Sequence, residues 1–167
     1  MPMMNLDTLD LRLLKQLQTD ASLSNQALAE RVHVSPATAL RRVKRLTEAG
    51  LIERTVALLS PDKVAAIQGA GLTALIEITL DHQAAERLSA FEQRCVADAA
   101  VQQCYRVSPG PDFMLVVHVA DMPDYNALVQ RLFTADANVR NVKAFFCIRR
   151  AKFEPRLELR TSGAKVT

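Results

Sequence analysis

Three amphipathic helices followed by a βαββαβ run make this an α+β chain in two parts, and three observations predict it. Leucines at 6, 9, 13 and 17 recur at helical spacing. Ser35-Pro36 opens a helix that Gly50 closes. Beyond residue 71 strand-like apolar runs alternate with one-faced helical stretches in a fixed order.

The first helix is marked by Leu6, Leu9, Leu13, Leu14 and Leu17, with Asp7 as N-cap and Asp10 three residues on. Ser24 caps a second helix whose Leu28, Ala29 and Val32 form its apolar face. His33-Val34-Ser35 breaks the pattern. Ser35 then caps a third helix, from Pro36 to about Ala49, where a missing N–H at the first position costs nothing. Leu51–Leu59 is β-prone and ends in the turn chemistry of Ser60-Pro61-Asp62-Lys63.

Next come a strand over Leu72–Leu80, a helix from Asp81 to about Val96, and strands over Val101–Val107 and Phe113–Ala120 joined by Ser108-Pro109-Gly110-Pro111-Asp112. A helix capped by Asp121 or Asp124 runs to about Thr134, and Val139–Arg150 supplies the last strand. This order is that of a ferredoxin-like split motif, four antiparallel strands with two helices on one face. The expected boundaries are a helix-turn-helix domain over 1–60, a linker over 61–71, the ferredoxin-like domain over 72–154 and a mobile tail over 155–167.

Composition narrows the function classes. With 49% hydrophobic and 23% charged residues the chain is of ordinary globular type. No apolar run approaches the roughly 20 residues that cross a bilayer. The opening residues lack the basic flank and apolar core of a signal peptide, so a cytoplasmic protein with no membrane partner is expected. Cys95, Cys104 and Cys147 are odd in number and widely spaced, which favours buried thiols over a disulfide framework or a metal site, and no cofactor is implied.

The net charge of +3 says little, but its distribution says more. Residues 1–60 hold eight basic side chains, and four of them, Arg41, Arg42, Lys44 and Arg45, fall within five residues. On a helical wheel Ala39, Val43 and Leu46 cluster on one side, while Ala37, Arg41, Lys44 and Glu48 lie opposite with Thr38 and Arg45 at their flanks. Such a helix, entered by a tight turn and small at its start, suits a DNA major groove. Ala37 and Thr38 allow close approach, Arg41 can fork onto guanine, and Lys44 and Arg45 suit phosphates. Ser24 and Ser35, at helix N-termini, also suit phosphates. Arg42, at the rim, suits either DNA or an ion pair with an acidic residue of the first helix such as Asp10.

These residues resemble the Lrp/AsnC family of leucine-responsive and asparagine-operon regulators, also called feast/famine regulators. The carriers are Leu6-Asp7-Thr8-Leu9-Asp10, Leu28-Ala29-Glu30-Arg31-Val32, Ser35-Pro36, Arg42-Val43-Lys44-Arg45-Leu46, Gly50-Leu51-Ile52, Ala57-Leu58-Leu59-Ser60-Pro61 and Cys104-Tyr105-Arg106-Val107-Ser108 with Asp112-Phe113. The resemblance implies a winged or β-extended helix-turn-helix, a regulatory domain of the RAM type whose sheets pair into dimers or octamers, and an amino-acid effector near the hairpin loop. Ser108 and Asp112 match the family's Thr/Ser-Gly-x-x-Asp loop, Pro109 stands in the glycine's place, and Gly110 follows one position late. Ser108, Gly110 and Asp112 thus fit effector binding or an ordinary hairpin turn.

The expectation is a sequence-specific DNA-binding transcriptional regulator, a homo-oligomer on double-stranded DNA. The alternative is an amino-acid-sensing oligomer or a small enzyme without a DNA role. An enzyme is disfavoured because His33, His82 and His118 pair with no nucleophile at readable spacing and no glycine-rich phosphate loop occurs. RNA binding through the sheet is disfavoured because Phe113–Ala120 offers valines and methionine where stacked aromatics are needed.

Overall fold

The computed structural model describes residues 6–159. The described residues form two compact units: one takes in residues 6–58 together with 152–159, the other is Leu59–Ala151.

The first unit contains α1 (Thr8–Thr19), α2 (Asn25–Val32) and α3 (Pro36–Glu48). Each begins as the sequence indicates. Asp7 and Asp10 form a reciprocal capping box on α1. The Ser24 hydroxyl accepts the Ala27 N–H on α2, and the Ser35 hydroxyl accepts the Thr38 N–H on α3. Leu13, Leu28, Ala29, Val32 and Ala39 form the shared core. The turn after α2 places His33 in the left-handed region at φ 59°, a conformation that favours glycine. Leu51–Leu59, in the wing position, runs without helix or strand, because no described residue of the chain forms a ladder with it.

The second unit opens with α4 (Pro61–Gln68), then β1 (Leu72–Leu80), α5 (Ala85–Ala97), β2 (Val101–Arg106), β3 (Phe113–Val119), α6 (Met122–Val129) and β4 (Val139–Phe146). A wide π-type turn, Gln130–Thr134, extends α6. The sheet order is β2-β3-β1-β4 with every pairing antiparallel. Alternation aims Ala74, Ile76, Ile78 and Leu80 of β1, and Phe113, Leu115, Val117 and Val119 of β3, at one face. Phe91 of α5 and Leu128, Leu132 and Phe133 of α6 and its extension cover that face. The Phe91 and Phe113 ring centroids lie 5.0 Å apart.

Several expectations need correction. The linker over 61–71 is in large part α4, a helix that buries no residue and leaves Ile67 83% exposed, so it has no periodic core face to betray it. The helix expected from Asp81 starts at Ala85. Within the expected tail, residues 155–159 group with the first unit, where Gln18 holds Leu157; residues 160–167 lie outside the described residues. Of the thiols, Cys95 is buried but Cys147 is exposed. Burial pushes the Cys95 thiol up to about 12, which leaves it unreactive.

Candidate nucleic-acid interface

The outward surface of α3 is set by what its other surface must do. Ala39 and Leu46 are buried, which fixes the rotation of the helix. Asn25, at the start of α2, donates from Nδ2 to the Pro36 carbonyl at 2.8 Å and so pins the start of α3 to that of α2. Rotation and entry point are then both determined.

The cations of α3 divide into two groups. Arg42 donates to Asp7 Oδ2 at 2.5 Å and to Asp10 Oδ1 at 3.1 Å. Arg45 donates to Asp10 Oδ2 at 2.5 Å. Asp10 is wholly buried, and two guanidinium groups with the Asp7 N–H satisfy its carboxylate. The Asp10 N–H bond and the Arg42 guanidinium hold the Asp7 carboxyl below its ordinary value, and the Asp7 and Asp10 carboxylates raise Arg42 in turn. Of the two roles open to Arg42, the ion pair with Asp10 is present. Arg45, expected at phosphates, is turned toward α1 and keeps 45% of its side chain exposed.

Arg41 and Lys44 stay outward. Arg41 is exposed and has no ion-pair partner among the described residues; Lys44 is 73% exposed and only 3.8 Å from Glu48. Ala37 is exposed beside them. Thr38 is half-buried, its hydroxyl 2.9 Å from that of Ser35. Sequence reasoning missed Leu40, 59% exposed on the same side of α3 as Lys44. The signal was present, since a leucine off the apolar face of a strongly amphipathic helix has no core to enter. Asn25 was missed as well: an amide reaching across eleven residues leaves no periodic trace.

In the second unit the hairpin between β2 and β3 brings Ser108, Gly110 and Asp112 into one loop. Asp112 is committed to the scaffold. Its carboxylate accepts the Leu80 N–H at 2.7 Å, its N–H donates to Ile78 at 2.8 Å, and its carbonyl accepts Val107 at 3.0 Å. Gly110 sits at φ 122°, which a side chain would resist.

A helix-turn-helix with a preset, cation-bearing outer surface, followed in the chain by a ferredoxin-like unit, defines a two-domain DNA-binding regulator. Comparison with known proteins agrees. Residues 6–53 match the winged helix-turn-helix DNA-binding domain, and residues 73–157 match the Lrp/AsnC ligand binding domain. The chain is 36% identical over 144 residues to an HTH-type transcriptional regulator of Haemophilus influenzae, covering 86% of this chain and 83% of that protein. It is 34% identical to the leucine-responsive regulatory protein of Rhizobium meliloti, over 92% of this chain and 96% of the other. A transcriptional regulator from Neisseria meningitidis, solved as its L-Met complex, superposes with a TM-score of 0.79 at 28% identity, over 92% of this chain and 97% of that one. The chain belongs to the Lrp/AsnC family and is a DNA-binding transcriptional regulator; members of the family are regulators and not enzymes.

Proposed function

We propose that two copies bind duplex DNA about a two-fold axis, with Arg41 at base edges and an amino acid in the Leu59–Ala151 unit modulating affinity, in the cytoplasm. The observation that carries this reading is the division of α3. Arg42 and Arg45 are spent on Asp10, whereas Arg41 stands exposed without an acidic partner among the described residues. An unpaired guanidinium on a rigid helix suits the paired acceptors of guanine. Leu40 adds an apolar group for a thymine methyl, Lys44 a phosphate contact, and Ala37 room for both. Ser24, Ser35 and Thr38 present helix N-termini to the sugar-phosphate chain, and Arg42 and Arg45 support the helix and lend long-range charge.

A single helix contacts too few bases for tight binding, so a dimer is required. The sheet surface opposite the helices supports one: Leu75 and Phe145 lie opposite each other in register, 40% and 53% exposed, and Tyr105 is 53% exposed. The L-Met complex of the Neisseria regulator supports an amino-acid effector. In the hairpin loop Ser108 and the Gly110 backbone would meet such a ligand, with Asp112 anchoring the loop.

The test is affinity for the duplex upstream of the protein's own gene and for random duplex, with and without L-methionine and L-leucine. Arg41→Ala is expected to cost about 1–3 kcal/mol on the specific duplex only. Lys44→Ala should weaken both duplexes alike and lower the salt slope by about 1. Equal losses for Arg41→Ala on both duplexes would overturn the assignment of Arg41.

A further inference from the structure

Two guanidinium groups converge on one buried carboxylate, one more than its charge requires. Asp10 Oδ1 accepts Arg42 at 3.1 Å, and Oδ2 accepts both Arg45 at 2.5 Å and the Asp7 N–H at 3.2 Å. The two arginines are not equivalent. Arg42 bridges Asp10 and Asp7 and keeps 24% of its side chain exposed, whereas Arg45 pairs among the described residues with Asp10 alone and keeps 45%. Were Arg45 to leave, neither Asp10 oxygen would lose its last donor, since Oδ1 keeps Arg42 and Oδ2 keeps the Asp7 N–H. The penalty of an unsatisfied buried carboxylate is therefore not incurred.

Position on α3 says where Arg45 can go. It follows Arg41 by four residues, about one helical turn, so the two side chains leave the same side of the helix. Arg41 and Lys44 are exposed there. A guanidinium released from Asp10 thus joins a surface that already carries two cations. Carboxylate and phosphate offer a guanidinium the same paired, charge-assisted hydrogen bonds, so one anion can replace the other at small cost. A DNA phosphate adds a gain that the carboxylate lacks, the release of its condensed counterion.

We infer that Asp10 stands in for a DNA phosphate in the free chain and gives up Arg45 to one when α3 meets duplex, while Arg42 stays behind to hold the helix. Arg45 is then a backbone contact held in ordered reserve, and Arg42 is the positioning residue that lets it go. The exchange rests on the reading of α3 as the DNA-facing helix proposed above. It does not rest on Arg41 reading bases, because phosphates are common to every sequence.

Salt dependence of binding to random duplex tests the exchange in the full chain. Arg45→Gln should lower the slope of log affinity against log salt by about 1 for each α3 bound, sparing about threefold of the affinity lost between about 50 and 200 mM salt. Arg12→Gln removes the same charge from the exposed face of α1 opposite Asp10, and should change the slope far less. Asp10→Asn leaves Arg45 unheld and should keep the natural slope, because that arginine reaches phosphate in either chain. This variant carries the test if Arg45→Gln does not fold. A slope that Arg45→Gln changes no more than Arg12→Gln does, or one that Asp10→Asn steepens by about 1, places Arg45 on Asp10 in the complex and overturns the exchange. Lys44→Ala separates the two readings. If it flattens the slope and Arg45→Gln does not, the exchange alone fails; if neither does, α3 does not lie on the DNA backbone and both fail.

Discussion

The two units keep their shape by different means. The ferredoxin-like unit sets fourteen buried residues around Phe91, Phe113 and Ile76, and burial is the main force that fixes its helices on the sheet. The helical unit gathers only five into its main cluster, two of them alanines. A core that small leaves the tilt of α3 loosely determined, and the buried Asp10 carboxylate, with its two guanidinium partners, supplies the missing direction. In such a unit a polar network does for orientation what side-chain volume does elsewhere.

The comparison can be broken or sharpened by substitution. Phe91→Ala is expected to show the largest effect, a loss of about 3–5 kcal/mol in denaturant unfolding followed at the ferredoxin-like unit. Asp10→Ala should cost the helical unit about 1–2 kcal/mol, less than a fully buried ion pair because Arg42 and Arg45 reach solvent once released. It should also weaken duplex binding by more than its stability loss explains. If Asp10→Ala unfolds the helical unit as deeply as Phe91→Ala unfolds its neighbour, the distinction fails.

Acid sharpens the same contrast. Asp7 is held below the ordinary 3.8 by the Asp10 N–H and Arg42, so the folded state binds this proton less readily than the unfolded chain. Its contribution is complete above 3.8 and is lost as pH falls through the lower folded value. Asp98, held down by Arg131, behaves likewise in the other unit. Thermal midpoints between about pH 5 and pH 2 should therefore fall, and Asp7→Asn should flatten the fall for the helical unit alone. The smallest effect is a gain: His33→Gly, relieving φ 59°, should stabilise the helical unit by about 0.5–1 kcal/mol in the same unfolding assay.

How much of this could be read from residue order depended on range. The starts of α1, α2 and α3 were legible because Asp7, Ser24 and Ser35 act within three residues of themselves. β1 was legible end to end because its inward Ala74, Ile76, Ile78 and Leu80 alternate with Thr73, Glu77 and Thr79, Leu75 being the one apolar interruption. α4 was not, since a helix with no buried face has no period to show, and Ser60-Pro61 reads as a turn as readily as a cap. At the interface, Arg41 and Lys44 were legible as outward from the wheel. Arg45 was not, because a long side chain at the flank is drawn sideways by a carboxylate 35 residues away. Gln18 lay furthest out of reach: its partner is a peptide group, which every residue possesses.

The splitting of α3 has an evolutionary corollary. Over thirteen residues the helix keeps its anchoring arginines and its exposed side chains on separate partners, so replacements at 40, 41 and 44 disturb no internal bond on which folding relies. Changes to that exposed surface can therefore accumulate one codon at a time, without any intermediate that fails to assemble.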